Sequence, residues 1–182
     1  MKDDATRSEP GLDAPERLAG KYMTFQLARE IYGVGILDVR EIIGLQRITP
    51  LPRSPAAVRG VINLRGRVIP VVDLRVQFGM AACSATDLAV IIVVQCEMRG
   101  SRTTVGVLVD QVLEVLTFDA SQIEPTPELG TRSAHSDFIV GVGKSGQHVV
   151  LLLDVERILS GEELGGLAGG QAKAPGAEPS AA

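Results

Sequence analysis

The amino-acid sequence predicts an all-β protein, on three observations. Apolar runs of strand length recur from Lys21 to Ser160, some alternating with polar residues and some continuous. Gly, Pro, Asn, Asp and Ser punctuate them. No amphipathic helix of about ten residues alternates with them, which argues against a parallel sheet of βαβ units. Roughly eight to ten short strands are expected, arranged as a barrel or sandwich. The runs are numerous for one small barrel, so two small barrels packed together are the expected architecture.

Residues 1–20 are polar, charged and broken by Pro and Gly, and read as a disordered arm. In "KYMTFQLA", Tyr22, Thr24 and Gln26 alternate with Met23, Phe25 and Leu27, the period of a half-buried strand. A turn at Arg29-Glu30 and the strand "IYGVGI" follow. In "LDVREIIGLQRIT", Leu37, Val39, Ile42 and Ile43 fit neither period, so a helical turn leading into a strand is expected. The prolines of "TPLPRSPAAVRG" make a connection, with a short helix at Pro55–Val58. Val61–Leu64 and Val68–Val72 then form a hairpin around Arg65-Gly66, with Gly66 free to take positive φ. Pro70 lacks an N–H, so its strand lies at an edge or is bulged there.

"DLAVIIVVQC" is a continuous apolar run, expected as a strand buried on both faces, and "TTVGVLVD" and "QVLEVLTF" are two more strands. Phe138–Val142 and His148–Leu153 form a hairpin turned at Lys144-Ser145-Gly146. A final short helix, Val155–Leu159, ends at Gly161, which suits a C′ glycine. Residues 161–182 are rich in Gly, Ala and Pro and read as a flexible tail. The expected organisation is therefore an arm (1–20), one folded domain (21–160) and a tail (161–182).

The 182 residues are 45% hydrophobic and 22% charged, a globular composition, with aromatics at 3%. A domain of this size buries roughly 70% of its unfolded surface and needs no disulfide. Cys83 and Cys96 exclude a disulfide-rich secreted scaffold. A formal charge of −4 gives no global attraction to nucleic acid or anionic membrane. The N-terminus has acids where a signal peptide needs an apolar core, and no run approaches the roughly 20 residues of a membrane span. A cytoplasmic protein is expected.

Catalytic patterns are weak. His135 and His148 are far apart and have no HxxxH or CxxC beside them, so no metal centre is expected. "GVGKSG" resembles the end of a phosphate loop, but Phe138 stands where the pattern needs glycine and a strand follows instead of a helix. Ser133, His135 and Asp137 are adjacent in sequence, which does not make a triad. A non-enzymatic protein without cofactor is expected.

One stretch is chemically distinctive. Arg40, Arg47, Arg53, Arg59, Arg65, Arg67 and Arg75 face only Glu41 and Asp73 within that window, leaving a local charge of +5. Arginine suits directional pairing with carboxylates and is enriched at interface hot spots. A solvated charged face is the competing reading, above all for Arg47 and Arg53. A nucleic-acid surface lacks the aromatic platforms it would need, with only Phe78 near the window.

"IYGVGILDVREIIG", "ITPLPRSPAAVRGVINLRGRVIPVVDLRVQFG" and "TVGVLVDQVLEVL" together resemble the CheW-like domains of bacterial chemotaxis. The resemblance runs from about Lys21 to Ser160. It implies two small five-stranded, SH3-like β-barrels side by side across an apolar seam, with short helices including one at the C-terminus. It also implies an adaptor that binds the cytoplasmic tip of a chemoreceptor and the regulatory domain of the histidine kinase CheA, with other adaptor copies joining in array rings. That adaptor is recruited from the cytoplasm to membrane-bound arrays, without catalysis, cofactor, nucleic acid or membrane insertion. The chain has no room for a kinase's phosphotransfer and ATP-binding domains or for an attached response regulator, so a stand-alone adaptor is expected. Adaptors of this kind also serve pathways that control pili, biofilm or second messengers.

The resemblance further implies partner-binding roles for Val39, Glu41, Gly60, Asn63, Arg65, Gly66, Gly106, Val112 and Val115. Backbone geometry competes with contact at Gly60 and Gly106, and core packing competes at Val112 and Val115. For Glu41 and Arg65, exposed loop charge favours contact. Arg65 is expected to face acidic partner groups while Asn63 holds the turn. Arg67 has no assigned role.

Overall fold

The computed structural model describes residues 15–126 and 137–160. The chain enters through a one-turn helix, α1 (Pro15–Leu18), and strand β1 (Gly20–Leu27). Residues 15–20 are therefore not part of a structureless arm. Pro15 occupies the first helical position, where its missing N–H is no loss. Leu18 packs against the Tyr22, Phe118 and Ile123 cluster, and the Tyr22 hydroxyl donates to the Leu18 carbonyl at 2.6 Å. A single apolar side chain in a polar stretch finds its seat far along the chain, where a Cβ on Gly141 would meet it at 2.8 Å. Residues 1–14 and the expected tail, with Gly161, lie outside the described residues, as do Ser133 and His135.

Strand β2 (Glu30–Gly35) pairs back on β1 through Leu27↔Glu30. The turn is thus Ala28-Arg29, one residue earlier than expected, with Ala28 at φ +55°. A turn in which Asp38 N–H donates to Gly35 and Val39 N–H to Ile36 leads into β3 (Val39–Gly44), the helical turn and strand expected there. The connection after it contains no helix at Pro55–Val58. One bond from Val58 N–H to Pro55 closes a turn, and Val58 then joins the ladder opposite Val72 as the first residue of β4 (Val58–Leu64). Strand β5 (Arg67–Asp73) completes the hairpin and runs directly into α2 (Leu74–Gln77), capped by the Asp73 side chain.

Next come β6 (Val90–Met98), β7 (Ser101–Val109) and β8 (Gln111–Phe118), with Asp110 the one residue between the last two. A 3₁₀ turn (Ala120–Gln122), β9 (Ile123–Glu124), β10 (Ile139–Ser145), β11 (His148–Leu153) and α3 (Val155–Ser160) end the described chain. The β10–β11 turn is Gly146-Gln147, because Ser145 pairs with His148. Lys144 therefore lies in the strand, where its ammonium meets Glu124 at 2.6 Å.

The strands form two sheets, β8-β1-β2-β11-β10-β9 and β3-β6-β7-β5-β4. Each contains two antiparallel hairpins joined by one parallel contact, β2 with β11 and β5 with β7. The all-β, two-module expectation holds, although the two-residue β9 gives the first sheet six strands instead of five. Pro70 is in neither an edge strand nor a bulge. Val61 opposite it spends its own N–H and C=O on Thr49 (both 2.9 Å), and pairing of β5 with β7 begins only at Val71. No N–H is needed at that position, and the bulge lies across the hairpin between Val58 and Gly60.

The continuous run in β6 has a simple cause. Ile91 and Val93 face the interior of the second module, while Ile92 and Val94 face a seam shared with the first. Phe25, Leu27 and Tyr32 enter that seam from the first sheet, Val72 from the second and Leu74 from α2. A chain of four rings crosses it: Phe25–Tyr32 at 6.0 Å, Tyr32–Phe78 at 5.5 Å and Phe78–Phe138 at 5.9 Å. Such ring pairs contribute about 0.5–1.5 kcal/mol each beyond their burial. Cys83 and Cys96 are both buried and free.

Candidate functional site

The β4–β5 turn has Arg65 at φ +52° and Gly66 at φ +83°. Two positive values in a two-residue turn define type I′, whose twist matches that of the flanking strands. Arg65 as well as Gly66 adopts the left-handed conformation, and the Gly66 N–H donates to Asn63 Oδ1 at 2.8 Å. Asn63 therefore holds the turn.

Arg65 does not offer a free guanidinium. Its Nη1 and Nη2 donate to Glu41 Oε1 and Oε2, each at 2.7 Å. This two-pronged bond holds the Glu41 carboxyl below its usual range. Arg65, expected to face acidic partner groups, is thus already paired with an acid of its own chain. The β3 and β4 strands are the outer strands of the sheet in hydrogen-bond order, yet Glu41 on β3 meets the turn that ends β4. The Thr49–Val61 bridge adds a second link, from the connection after β3 to β4. Together they draw the sheet round toward a barrel.

Glu41, Asn63, Arg65 and Gly66 thus gather at one end of the second module. The arginine side chain remains 74% exposed. Ile42 and Val68 on the strands that lead there are exposed apolar residues, and sequence periodicity did not single them out as such. Arg67 is exposed, and its side chain makes no hydrogen bond or ion pair with the described residues.

The other sequence-predicted residues lie elsewhere. Val39 is half-buried against the seam, as is Val112. Val115 is exposed on β8 beside Leu113, so β8 carries a separate apolar edge on the first module. Gly60 and Gly106 are buried in the second module. A Cβ on Gly106 would sit 2.7 Å from Ile91 Cγ2 and 3.4 Å from Val71 Cγ2. Close packing of strands accounts for Gly106, and the expected result of Gly106→Ala is a loss of about 1–3 kcal/mol from overpacking, read as a lowered urea midpoint.

Sequence reading missed a polar cluster at the joint between the modules. Arg75 Nε donates to Asp110 Oδ1 at 2.6 Å, and Nη2 donates to Oδ2. The Ala28 N–H reaches Asp110 Oδ2 at 2.8 Å, and the Cys83 thiol approaches Oδ1 at 3.3 Å. Burial pushes the Asp110 carboxyl up, but the bonds from Arg75, Ala28 and Cys83 outweigh it and hold it below the ordinary value. Burial, with Asp110 close by, drives the Cys83 thiol up to about 11, so the thiol stays protonated and inert at neutral pH. The available signal was one acid between two apolar runs, at Asp110.

The sign of the Asp110 shift makes a prediction. Its folded-state pKa lies below its unfolded value, so its stabilisation is complete above the unfolded value, near pH 4, and fades as pH falls through the folded one. Unfolding followed from pH 6 down to pH 2 should show a steeper loss for the parent protein than for Asp110→Asn. Equal slopes would mean that Asp110 is not depressed.

The family model described as CheW-like domain matches residues 21–163. The chain is 37% identical to a chemotaxis protein CheW of Klebsiella aerogenes over 159 residues, covering 85% of this chain and 93% of that protein. It is 38% identical to a chemotaxis protein CheW of Rhizobium meliloti, covering 78% and 88%. The crystal structure of the scaffolding protein TtCheW from Thermoanaerobacter tengcongensis superposes with a TM-score of 0.67 at 34% identity, covering 78% of this chain and 88% of that one.

Proposed function

The chain belongs to the CheW-like domain family, and on that premise we propose that it is a non-enzymatic chemotaxis adaptor linking a chemoreceptor's cytoplasmic tip to the regulatory domain of the kinase CheA. Further copies of the adaptor join it in arrays. It works in the cytoplasm and reaches the membrane through the receptor; no described helix is long and apolar enough to cross one. The same design serves related pathways controlling pili, biofilm or second messengers, with the output set by the receptor and kinase it meets.

The observation that carries this reading is the clipped turn, in which Arg65, Glu41 and Asn63 fix an exposed protein surface with Ile42 and Val68 beside it. A rigid mount lowers the ordering cost of association. Val115 and Val112 on β8 supply a second surface. Gly66 makes the turn itself, and the buried Gly60 and Gly106 and half-buried Val39 support these surfaces from within.

A nucleic-acid reading loses ground because three of the seven clustered arginines are engaged internally, Arg59 with Asp73, Arg65 with Glu41 and Arg75 with Asp110. Such a binder would shift single-stranded RNA at low salt and release it steeply as salt rises.

The test is calorimetric titration with the isolated kinase regulatory domain and with a receptor-tip fragment. Parent protein should bind both, and retention of neither would end the proposal. Arg65→Glu should weaken kinase-domain or receptor binding about tenfold or more, because like charges then face each other at the clip and the presented charge is reversed. The swap Glu41→Arg with Arg65→Glu separates two roles. Recovery of binding means that the clip positions the surface, whereas persistent loss means that Arg65 itself touches acidic partner groups.

A further inference from the structure

We propose that the Arg75–Asp110 ion pair couples the two surfaces assigned above, so that the Arg65 turn on the second module and the β8 edge on the first respond to one another. The inference rests on that assignment only for its biological meaning; the coupling is a property of the chain by itself.

The physical connection is short. Strand β5 starts at Arg67, beside the Arg65 turn, and passes without a break through Asp73 into α2. Helix α2 and the residue after it reach into the first module at several points. The Phe78 ring lies 5.5 Å from that of Tyr32 and 5.9 Å from that of Phe138. Gln77 Nε2 donates to the Ile158 carbonyl at 3.4 Å. Arg75 grips Asp110 through two N–H groups. Asp110 alone separates β7 from β8, and Gln111 opens the strand that carries Val112 and Val115. The Ala28 N–H on the same carboxylate adds the β1–β2 turn. One carboxylate thus ties the root of the β8 edge to the helix at the end of the Arg65 hairpin. A planar guanidinium held by two bonds transmits orientation as well as attraction.

Coupling between sites requires an element with two accessible arrangements. In this proposal that element is α2, a single turn of four residues, Leu74–Gln77.

The experiment uses the full chain without any partner. Amide resonances of Gln111–Val115 are compared between the parent and Arg65→Glu, then between the same pair in an Asp110→Asn background. The expected result is a clear change at Gln111–Val115 in the parent background that shrinks about threefold or more when Asp110 is neutralised, the signature of non-additivity. Arg75→Lys keeps the charge but loses the fork, and should attenuate the change too; it also serves if Asp110→Asn does not fold. No change at Gln111–Val115 in the parent background overturns the proposal, as does an equal change in both backgrounds. With no partner in the sample, this result is independent of whether the kinase or receptor binds.

Discussion

Gly60→Ala should be among the most destabilising single-methyl additions to this chain, at about 4 kcal/mol, a size reserved for a few mechanisms such as backbone strain and steric conflict in the core. Two effects coincide. Gly60 sits at φ +139°, where L side chains are rarely found. A Cβ there would lie 2.1 Å from the Thr49 carbonyl oxygen and 2.6 Å from its carbon. Both near atoms are backbone, so no side chain can rotate away. Relief requires Thr49 to move, and Thr49 makes the paired 2.9 Å bonds to Val61 that tie the connection after β3 to β4. The expected measurement is a fall in the melting temperature of roughly 10–20 °C. Gly66→Ala is the control: it has φ +83° but open space around its Cβ, so it should cost only about 1 kcal/mol. Equal losses at the two glycines would show that the Thr49 contact is unimportant.

That result bears on how a loss of binding at Gly60 would be read. A variant there disturbs the link between β3 and β4, and with it the spacing between Glu41 and the Arg65 turn. Binding would fail because the surface is misplaced, since position 60 itself is buried. Arg65→Glu, by contrast, changes the surface and leaves the core intact.

The elements were legible in the sequence where local chemistry decides them. Gly66 and Asn63 announce a tight turn, and the β6 run is apolar because both of its faces are covered. Tyr22–Leu27 is a strand, as its alternation predicts, but it is not half-buried: Tyr22 and Thr24 are buried along with Met23, Phe25 and Leu27, because the Tyr22 ring packs on Phe118 and the Thr24 hydroxyl donates to the Glu114 carbonyl. What stayed hidden depends on residues distant in sequence. Leu18 looks like a stray apolar residue in a polar arm until Ile123 and Gly141 form its seat. Pro70 looks like an edge signal until Val61 proves to spend its polar groups on Thr49. The candidate site divides in the same way. Arg65 stood out as charge on a hairpin tip, but its pairing with Glu41 depends on a sheet curling until its outer strands meet, which no local pattern encodes.

Asp73 is the clearest residue that composition misjudges, since it counts there merely as one acid among arginines. It is fully buried. Oδ1 accepts from the Arg75 N–H at 3.0 Å and caps α2. Oδ2 accepts from the Cys83 N–H at 2.9 Å and from Arg59 Nη1 at 3.4 Å. Asp73→Ala should cost about 3–5 kcal/mol, because it leaves a buried N–H unsatisfied, uncaps the helix and removes a carboxylate's charge-assisted bonds. Asp73→Asn keeps the shape and one carbonyl oxygen, but turns an amide N–H₂ toward one of the donors, so about 2 kcal/mol is expected. Arg59→Ala should cost less than about 1 kcal/mol, since that side chain is 39% exposed and its contact is long. The local readout is thiol labelling. In the parent protein both cysteines are buried and should react slowly. Asp73→Ala frees the segment around Cys83, which should then react much faster, while Cys96 within β6 stays protected. Slow labelling of Cys83 in that variant would mean that the segment is held by its other contacts. Fast labelling of both would mean that the second module as a whole has opened, and that Asp73 supports the entire barrel along with the helix that joins it to its neighbour.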